Sequence, residues 1–367
     1  MSLRRKSATS QMITFLNENV QSPMKITIQS KAGETAFDCG ENEIILHSGL
    51  RSGLTLPYEC ASGTCGTCRA RVKLGTVEVQ WREAPGYLHL KPNKGDILMC
   101  QSRPRSDCFL QVPSEVKIFE KFRPQVRHGT IENLRRLTKD LAHFMVRLSS
   151  PISFEAGQFV LVETDGLSGG RAYSMVNFAS ETDRIDLLLK RKPHGGFSEW
   201  LFAQERVGAN LRIFGPLERA AFRPEEDRDI VCIGGGSGIA GMMSILERAA
   251  QVDYFLRHRG EMFFGFRTLD DCVYLSQLAR YSALGHGNLD ITIVLSDELA
   301  QTRVHVQFPM LKLASGLVHD VAVRCSGLVQ DSCLTFVAGP PIMVDCAIRA
   351  LIVAGVNAGS IRYDKFS

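Results

Sequence analysis

Alternating apolar and polar residues divide the 367-residue chain into regions of different predicted architecture. After an N-terminal extension at residues 1–23, the alternation places Ile26 and Ile28 on one face of a strand, and a turn that ends at Gly33 follows. This pattern predicts a β-hairpin, and a short helix and further strands are expected after it. Residues 24–113 are therefore predicted to form one compact mixed domain.

Two more domains are predicted after a linker at residues 114–126. Residues 127–225 contain short strand-like runs, such as residues 159–162, with glycine-rich turns and no helical periodicity, which predicts a small antiparallel β-barrel. In residues 226–367, strands alternate with helical stretches, so a parallel sheet is expected. The predicted fold is thus multidomain: an α+β domain, an antiparallel β-barrel domain and a parallel α/β domain.

Four cysteines in the first domain have the spacing of iron–sulfur ligands. They are Cys60, Cys65, Cys68 and Cys100. The pattern Cys-x4-Cys-x2-Cys with a distant fourth cysteine is that of plant-type [2Fe–2S] ferredoxins, in which two irons need four thiolates. Gly63 and Gly66 let the backbone approach the sulfurs because they lack a β-carbon. Unrelated buried cysteines and a zinc site are the alternatives, although zinc motifs usually pair two Cys-x2-Cys knuckles and Cys100 has no nearby Cys or His.

Two motifs in the barrel region suit a flavin nucleotide. In Arg171-Ala172-Tyr173-Ser174, a guanidinium can bind a diphosphate, an aromatic ring can stack on a flavin, and a hydroxyl can reach a ring nitrogen. The second motif follows Leu189 and Lys190 at the end of a predicted strand and leads into a predicted helix. Its residues are Gly195, Gly196, Phe197 and Ser198. Glycines at a helix N-terminus let backbone N–H groups face a phosphate, and Ser198 can add a donor. For His194, which precedes them, a loop or surface role is expected.

The third domain begins with the strand, glycine loop and helix of dinucleotide binding. Residues 236–241 read Gly-x-Gly-x-x-Gly directly after an apolar strand. The candidate phosphate-binding residues are Gly235, Gly236, Ser237 and Gly238. Arg267 follows a later strand, and Asp270 and Asp271 come after it. Carboxylates there favour NADH because they accept from the ribose hydroxyls, whereas Arg267 can accommodate the 2′-phosphate of NADPH. We expect NADH as the electron donor. NADPH is one alternative, and a purely structural role for these charged residues is the other.

Composition excludes some classes of function. A net charge of +4, a pI of about 8.5 and the lack of a DNA- or RNA-reading motif argue against a nucleic-acid-binding protein. No apolar run approaches the length of a membrane span. Residues 1–16 are basic and rich in Ser and Thr, which resembles a transit peptide, although a loose extension is the commoner explanation. The eleven cysteines lie mostly in apolar segments or in the cluster motif, so a reducing compartment is expected. We therefore predict a soluble, cytoplasmic monomer.

In this order the motifs resemble a known family. The cysteine loop, together with residues 81–86 (Trp-Arg-Glu-Ala-Pro-Gly), resembles the plant-type ferredoxin domain, a β-grasp fold, that begins the reductases of bacterial multicomponent oxygenases. The next two regions resemble the FAD-binding barrel and the Rossmann-like NAD domain of the ferredoxin–NADP reductase superfamily. The resemblance covers nearly all of residues 24–367 and implies a role in the oxidation of aromatic or other hydrocarbons.

The resemblance implies roles for residues around the flavin. Arg171 and Ser198 are expected to hold phosphates, and Tyr173 is expected to stack on the isoalloxazine ring. Ser174 is expected near the N5 atom of that ring, and the aromatic Phe366 is expected to cover it. Ser174 and Phe366 are therefore the candidate catalytic residues.

The resemblance also places the segment Gly339-Pro340-Pro341-Ile342-Met343 beside the nicotinamide. The chain departs from the family at two positions here. Ala338 stands where relatives have a cysteine, so the thiol contact with the nicotinamide is missing and slower hydride transfer is expected. Gly241 stands where relatives commonly have a proline, and a looser start of the following helix is expected.

Motifs and resemblance together predict an electron-transfer reductase. NAD(P)H gives up a hydride, which carries two electrons, whereas a [2Fe–2S] cluster accepts one electron at a time, so FAD is expected between them. No Rieske motif or helical pair of metal-binding histidines is recognisable in the sequence, so the electrons must leave for an external acceptor. The expected acceptor is a terminal oxygenase or an intermediate ferredoxin. A stand-alone iron–sulfur flavoenzyme that reduces a small molecule and a non-enzymatic redox sensor are the alternatives.

Basic residues close in sequence to the cysteines form a candidate docking rim for an acidic partner. They are Arg69, Arg71, Lys73, Arg103 and Arg105. Solvated charges at strand edges explain the same pattern equally well.

Overall fold

The computed structural model describes residues 22–88, 90–118, 123–298, 307–328 and 333–365. Within them the chain forms three sheets of five or six strands and one short ribbon. Each large sheet is built from one of the three regions that the sequence pattern distinguishes, so the predicted fold class is confirmed.

The first domain is a mixed sheet packed against one helix. Its elements are β1 (Met24–Ser30), β2 (Gly33–Cys39), α1 (Ile45–Arg51), β3 (Arg69–Leu74), β4 (Val77–Val79), β5 (Asp96–Leu98), β6 (Ser102–Pro104) and β7 (Cys108–Gln111). The sheet order is β2-β1-β7-β3-β5, with β1 parallel to β7, and β4 pairs with β6 in the ribbon. The predicted hairpin is confirmed, since Ser30 pairs with Gly33. Ile26 and Ile28 are fully buried in the core that α1 covers.

The second domain is an antiparallel barrel. Its elements are β8 (Gln125–Arg136), β9 (Leu141–Ile152), β10 (Phe159–Glu163), β11 (Arg171–Ser174), β12 (Thr182–Lys190), α2 (Gly196–Ala203) and β13 (Asn210–Leu217). The strand order is β11-β10-β13-β8-β9-β12. A bridge between Met175 and Leu187 joins the two edge strands, which closes the sheet. β8 begins at Gln125, shortly before the predicted start of the barrel domain.

The third domain is a parallel sheet with helices on both faces. Its elements are β14 (Ile230–Gly235), α3 (Ile239–Gln251), β15 (Gly260–Phe266), α4 (Leu275–Leu284), β16 (Leu289–Leu295), β17 (Lys312–Ser315), α5 (Val318–Cys325), β18 (Leu334–Gly339), α6 (Pro341–Val353) and β19 (Ile361–Lys365). The order is β17-β16-β15-β14-β18-β19, and all the pairs are parallel. The strand order reverses between β14 and β18, and ligands of such sheets bind at the carboxyl ends of the strands at this point.

The hydrophobic cores connect the domains. The core of the first domain continues into Phe159, Leu161 and Phe214 on the outer face of the barrel. The interior of the barrel shares a second core with α3 and one face of the parallel sheet. Burial of this kind is the main stabilising term in folding, so the barrel is held on both sides by apolar packing. Across the described residues, no helix combines the length and the apolar character needed to cross a bilayer.

Candidate functional site

The four predicted cluster ligands lie together as two pairs of thiols. The Sγ atoms of Cys60 and Cys65 are 3.2 Å apart, and those of Cys68 and Cys100 are also 3.2 Å apart. The hydrogen bond between the two thiols lowers the pKa of Cys60 and raises the pKa of Cys65. No group of three or more ligands surrounds a single point in the described part of the chain. Two pairs of thiols fit two irons, whereas one zinc ion needs its ligands around one centre.

The backbone of the cysteine loop has the shape that close approach to the sulfurs requires. Gly63 and Gly66 have φ values of +96° and +81°, which a side chain would make costly. The amides of Ser62 and Thr67 point at the Sγ atoms of Cys60 and Cys65, at 3.4 and 3.5 Å. Backbone amides that donate to the cysteine sulfurs are expected around an iron–sulfur cluster, because they stabilise the negative charge on the ligands.

The turn at residues 81–86 supports this loop from behind. The amide of Gly86 donates to the carbonyl of Gly63 over 2.9 Å. A β-carbon on Gly86 would stand 2.7 Å from that oxygen and 2.8 Å from the amide nitrogen of Gly66. The sequence marks this turn only as a family feature, and its contact with the loop emerges from the tertiary structure.

The Arg-x-Tyr-Ser motif forms strand β11, and its first and third residues differ in their surroundings. Arg171 donates from Nη1 to the carbonyls of Ser168 and Gly170, at 3.3 and 3.2 Å, and lines a cavity of about 1200 Å³. Its bonds within the described residues go to carbonyl groups, so further guanidinium donors remain for a diphosphate. Tyr173 packs against Phe144 and Phe197, with ring centroids 6.2 and 5.7 Å away. Its stacking on a flavin stays a prediction.

Ser174 lies where the barrel meets the parallel sheet. Its hydroxyl is buried and has no hydrogen-bond partner among the described residues. A buried hydroxyl without a partner costs about 1–3 kcal/mol, so a ligand atom that bonded to it would be stabilised. A β-carbon on Gly241 of α3 would stand 3.5 Å from the Cβ of Ser174. The position fits the predicted contact of Ser174 with a flavin ring nitrogen.

Helix α2 begins at the second predicted phosphate motif. Gly195 is the N-cap residue, and no side chain caps the first N–H groups of the helix. The hydroxyl of Ser198 turns back to its own loop, where it accepts from the amide of Lys192 at 3.0 Å and contacts the carbonyl oxygens of Lys192 and Gly195. The backbone N–H groups therefore remain available to a phosphate, while Ser198 shapes the loop. His194 has a φ of +61° in the preceding turn, which agrees with the expected loop role.

The glycine loop after β14 packs against the segment that ends β18. Residues 236–238 form a 3-10 turn that leads into α3. A β-carbon on Gly238 would stand 2.2 Å from the carbonyl oxygen of Ala338 and 2.7 Å from the amide nitrogen of Gly339. Met343 packs over the same edge, since its Cε would stand 2.8 Å from a β-carbon on Gly235. The two predicted nucleotide motifs thus form one edge at the switch point of the sheet.

Arg267 is held by carboxylates of two domains. Its guanidinium pairs with Asp271 at 3.3 Å and with Asp140 of the barrel at 3.8 Å. Asp271 is buried and Asp270 is exposed. Asp140 also pairs with Lys190 at 3.3 Å. A guanidinium with two acidic neighbours is less available to a 2′-phosphate than the sequence pattern alone indicates.

Strand β11 also faces the cysteine loop. A small cavity at this junction is lined by Glu59, Cys60, Ala172, Arg219, Tyr363 and Asp364. Burial raises the pKa of Asp364 to about 7, although the guanidinium of Arg219 acts in the opposite direction. Ala172 and Ser174, two residues apart on one strand, therefore point to the first and the third domain.

Phe366 lies outside the described residues, so its predicted position over the flavin stays a prediction.

The basic rim is partly neutralised within the chain. Arg71 pairs with Asp96 at 2.8 Å, and Arg105 pairs with Glu41 at 3.2 Å and with Glu78. No ion pair is found among the described residues for the other three members of the rim, Arg69, Lys73 and Arg103. These three residues therefore carry the unneutralised positive charge of the rim.

A cysteine loop for two irons, a closed barrel with phosphate-binding elements and a parallel sheet with a dinucleotide edge define an iron–sulfur flavoprotein oxidoreductase. Comparison with known domains agrees. Residues 26–105 match the 2Fe-2S iron-sulfur cluster binding domain, residues 128–222 the oxidoreductase FAD-binding domain, and residues 232–349 the oxidoreductase NAD-binding domain. The predicted cofactors, a [2Fe–2S] cluster, FAD and NAD(P)H, are thereby confirmed.

Relatives along nearly the whole chain identify the family. The ferredoxin–NAD(+) reductase component of the alkene monooxygenase system of Xanthobacter autotrophicus is 33% identical over 338 aligned positions, and the match covers 90% of this chain and 98% of that protein. The ferredoxin–NAD(P)(+) reductase CarAd of Metapseudomonas resinovorans is 32% identical, over 91% of this chain and 98% of that one. The solved structure of the ferredoxin reductase in carbazole 1,9a-dioxygenase is 30% identical with a TM-score of 0.79, over 95% of this chain and 100% of that one.

The chain belongs to the ferredoxin–NAD(P)+ reductase components of oxygenase systems. It is an oxidoreductase that takes hydride from NAD(P)H onto FAD and passes single electrons through a [2Fe–2S] cluster. The predicted function is confirmed at this level. Family membership disfavours the two alternatives, a stand-alone enzyme for a small substrate and a redox sensor.

Proposed function

We propose that strand β11 is the crossing point of the electron path, with Ser174 on the nucleotide side and Ala172 on the cluster side. The observation that carries the proposal is the placement of these two residues, one against Gly241 of α3 and the other beside Cys60. FAD, when bound, accepts two electrons from a hydride and releases them singly. FAD has to lie between the nucleotide and the cluster, and β11 is a strand that contacts the domains of both.

The residues present fit an FAD held along β11 and α2. Arg171 keeps guanidinium donors for the diphosphate, and the uncapped N-terminus of α2 adds backbone N–H groups and the positive end of the helix dipole. The hydroxyl of Ser174 has no hydrogen-bond partner among the described residues, which supports the proposed bond to a ring nitrogen. Phe366, two positions beyond Asp364, is our candidate for the cover of the ring.

For the nucleotide we propose NADH rather than NADPH. The support is electrostatic, because Asp271 and Asp140 occupy the guanidinium that a 2′-phosphate would need. A 2′-phosphate would also approach Asp270 and Asp271, and like charges repel.

Substitution of Asp271 tests this preference. In Asp271→Ala, Arg267 loses its nearer carboxylate and can bond to a 2′-phosphate, an interaction with a charged group worth about 1.5–3 kcal/mol. We expect the ratio of kcat/KM for NADPH to that for NADH to rise about tenfold or more. Asp270→Ala is the matched control, because it removes an equal charge without releasing Arg267. An equal change in both variants would attribute the preference to net charge and not to Arg267.

For the acceptor we propose an oxygenase component or an intermediate ferredoxin, which the names of the relatives support. The partner would approach the cluster from the side of Arg69, Lys73 and Arg103, where positive charge is left unpaired within the described residues. A monomeric state and a cytoplasmic location stay predictions.

Removal of one cluster ligand tests the proposed order of the sites. In Cys65→Ala the side chain cannot hold iron, so we expect loss of the electron paramagnetic resonance signal of the reduced cluster. NADH oxidation with ferricyanide, which takes electrons directly from a reduced flavin, should stay within about twofold of the wild type. Transfer to cytochrome c should fall about 100-fold, because the cluster is the exit to protein acceptors.

Cys325→Ala is the control, since this cysteine is exposed and lies in the third domain. Retention of rapid cytochrome c reduction by the cluster-free variant would show that electrons leave without passing Cys60 and Cys65, and the proposed path would then be wrong.

A further inference from the structure

Glu59, the residue before the cluster ligand Cys60, is bound by both other domains. The hydroxyl of Tyr363 on β19 donates to Glu59 Oε1 over 2.8 Å. Arg219, which follows the end of β13, places Nη2 3.8 Å from the same oxygen. The guanidinium of Arg219 also lies over the ring of Tyr363, 5.6 Å from its centroid. One carboxylate therefore joins the cysteine loop to the barrel and to the parallel sheet.

The neighbouring Tyr58 adds a second attachment of the same loop. Its hydroxyl accepts from the amide of Glu218 at 3.0 Å and lies 3.3 Å from the carbonyl oxygen of that residue. Tyr58 and Glu59 are thus both committed to other domains, directly before Cys60. Hydrogen bonds to charged groups are stronger than neutral ones, so the Tyr363 bond to Glu59 is expected to be stronger than the bonds of Tyr58.

The element that carries Tyr363 also borders the nucleotide edge. Tyr363 pairs with Val337 of β18, and β18 ends at Gly339 against the glycine loop. Lys365, two residues later, lies 5.2 Å from the ring centroid of Tyr363 and pairs with Asp345 of α6 at 2.8 Å. The ring of Tyr363 therefore has two cations near it, Arg219 and Lys365, and lies on a strand that is hydrogen-bonded to β18.

We propose that Tyr363 and Arg219 are positioning residues that hold Cys60 against strand β11 through Glu59. This inference rests on the proposed path, because it concerns the distance between Ala172 and Cys60 across the small cavity that all of these residues line. The two residues act through Glu59 and neither holds a cofactor. The loop has three attachments to the other domains: the contacts of Glu59 with Tyr363 and with Arg219, and the bond of Tyr58 to Glu218. Electron transfer depends steeply on distance, so we expect slower transfer from flavin to cluster when one of these attachments is lost.

Tyr363→Phe is the direct test, because it removes the hydroxyl and keeps the ring. We expect flavin content, cluster absorbance and the rate of flavin reduction by NADH to equal those of the wild type. The passage of one electron from reduced flavin to the oxidised cluster, followed by rapid mixing, should slow severalfold, because the rate of electron tunnelling falls exponentially with the separation of donor and acceptor. Amide hydrogen exchange in residues 59–68 should become faster, which reports the loop itself and needs no turnover.

Two further variants separate positioning from general stability. Tyr281→Phe is the matched control, since its hydroxyl also donates to a carboxylate, Glu247, and neither residue lines the cavity beside Cys60. The double variant Glu59→Gln with Tyr363→Phe should be no slower than the slower of the two single variants, because Tyr363 is proposed to act only through Glu59.

The outcomes of these experiments are distinct. An unchanged flavin-to-cluster rate and unchanged exchange in Tyr363→Phe, with both cofactors loaded, would overturn the positioning role and leave the proposed path intact. Additive losses in the double variant would also overturn it. A wild-type protein that reduces its cluster without reducing its flavin would instead overturn the proposed path itself.

Discussion

Gly86→Ala is expected to yield a protein that folds and binds FAD but assembles little [2Fe–2S] cluster. The added β-carbon would stand 2.7 Å from the carbonyl oxygen of Gly63 and 2.8 Å from the amide nitrogen of Gly66, and both are backbone atoms that cannot rotate away. Overpacking costs about 1–3 kcal/mol, which corresponds to a roughly 5- to 150-fold lower population of the closed loop. Iron content and the visible absorbance of the purified protein measure this loss.

Gly40→Ala is the matched control in the same domain. Its β-carbon would find its nearest neighbour at 3.7 Å, which is ordinary van der Waals contact. We expect full cluster content in this variant. Full cluster content in Gly86→Ala as well would show that the turn at residues 81–86 does not support the loop.

Gly238→Ala is expected to abolish most NADH oxidation while FAD stays bound. Its β-carbon would lie 2.2 Å from the carbonyl oxygen of Ala338, so the glycine loop would have to move away from the end of β18. The nucleotide motifs on the two strands would then no longer form one edge. We expect kcat/KM for NADH to fall about 100-fold, because misplacement of a binding element by about 1 Å costs this much. Photochemical reduction of the flavin should still load the cluster with electrons.

Gly327→Ala serves as its control. This glycine lies in the third domain and is exposed, and a β-carbon added to it would find its nearest neighbour, an oxygen of Glu261, at 3.5 Å. Steady-state kinetics with NADH should be unchanged in this variant. A normal kcat/KM in Gly238→Ala would contradict the close packing of the loop on β18.

The features that the sequence predicts well are those that depend on neighbouring residues. The spacing of Cys60, Cys65 and Cys68 reflects how tightly one loop must turn to present several thiols, and this is a local property. The strand, glycine loop and helix at residues 230–251 are local in the same way. The departure at Ala338 is also visible in the sequence, and the structure adds that its carbonyl is the atom that confines Gly238.

The sequence pattern was less informative where charges meet across domains. The sequence around Arg267 is compatible with NADH or NADPH because it does not show the partners of this residue, and one of them, Asp140, lies in a different domain. The sequence likewise does not show that Arg71 and Arg105 of the candidate docking rim pair with carboxylates of the same chain. Ser198 shows the same limit, because its hydrogen bonds to its own loop are not visible in the sequence, and its contact with a phosphate stays a prediction. An ion pair or hydrogen bond depends on the position of both partners, and a linear pattern contains only one of them.

Three kinds of domain, the candidate cluster ligands and the separate nucleotide-binding motifs can be recognised in the sequence, because hydrophobic periodicity and short motifs follow from the geometry of adjacent residues. Which surfaces meet becomes visible only in the folded chain. It set Ala172 beside Cys60 and Ser174 beside Gly241, it packed Gly86 behind the cysteine loop, and it joined Tyr363 to Glu59 across 304 positions of the chain. Such contacts depend on how whole domains pack, and that is decided by the burial of extended apolar surfaces rather than by any local run of residues.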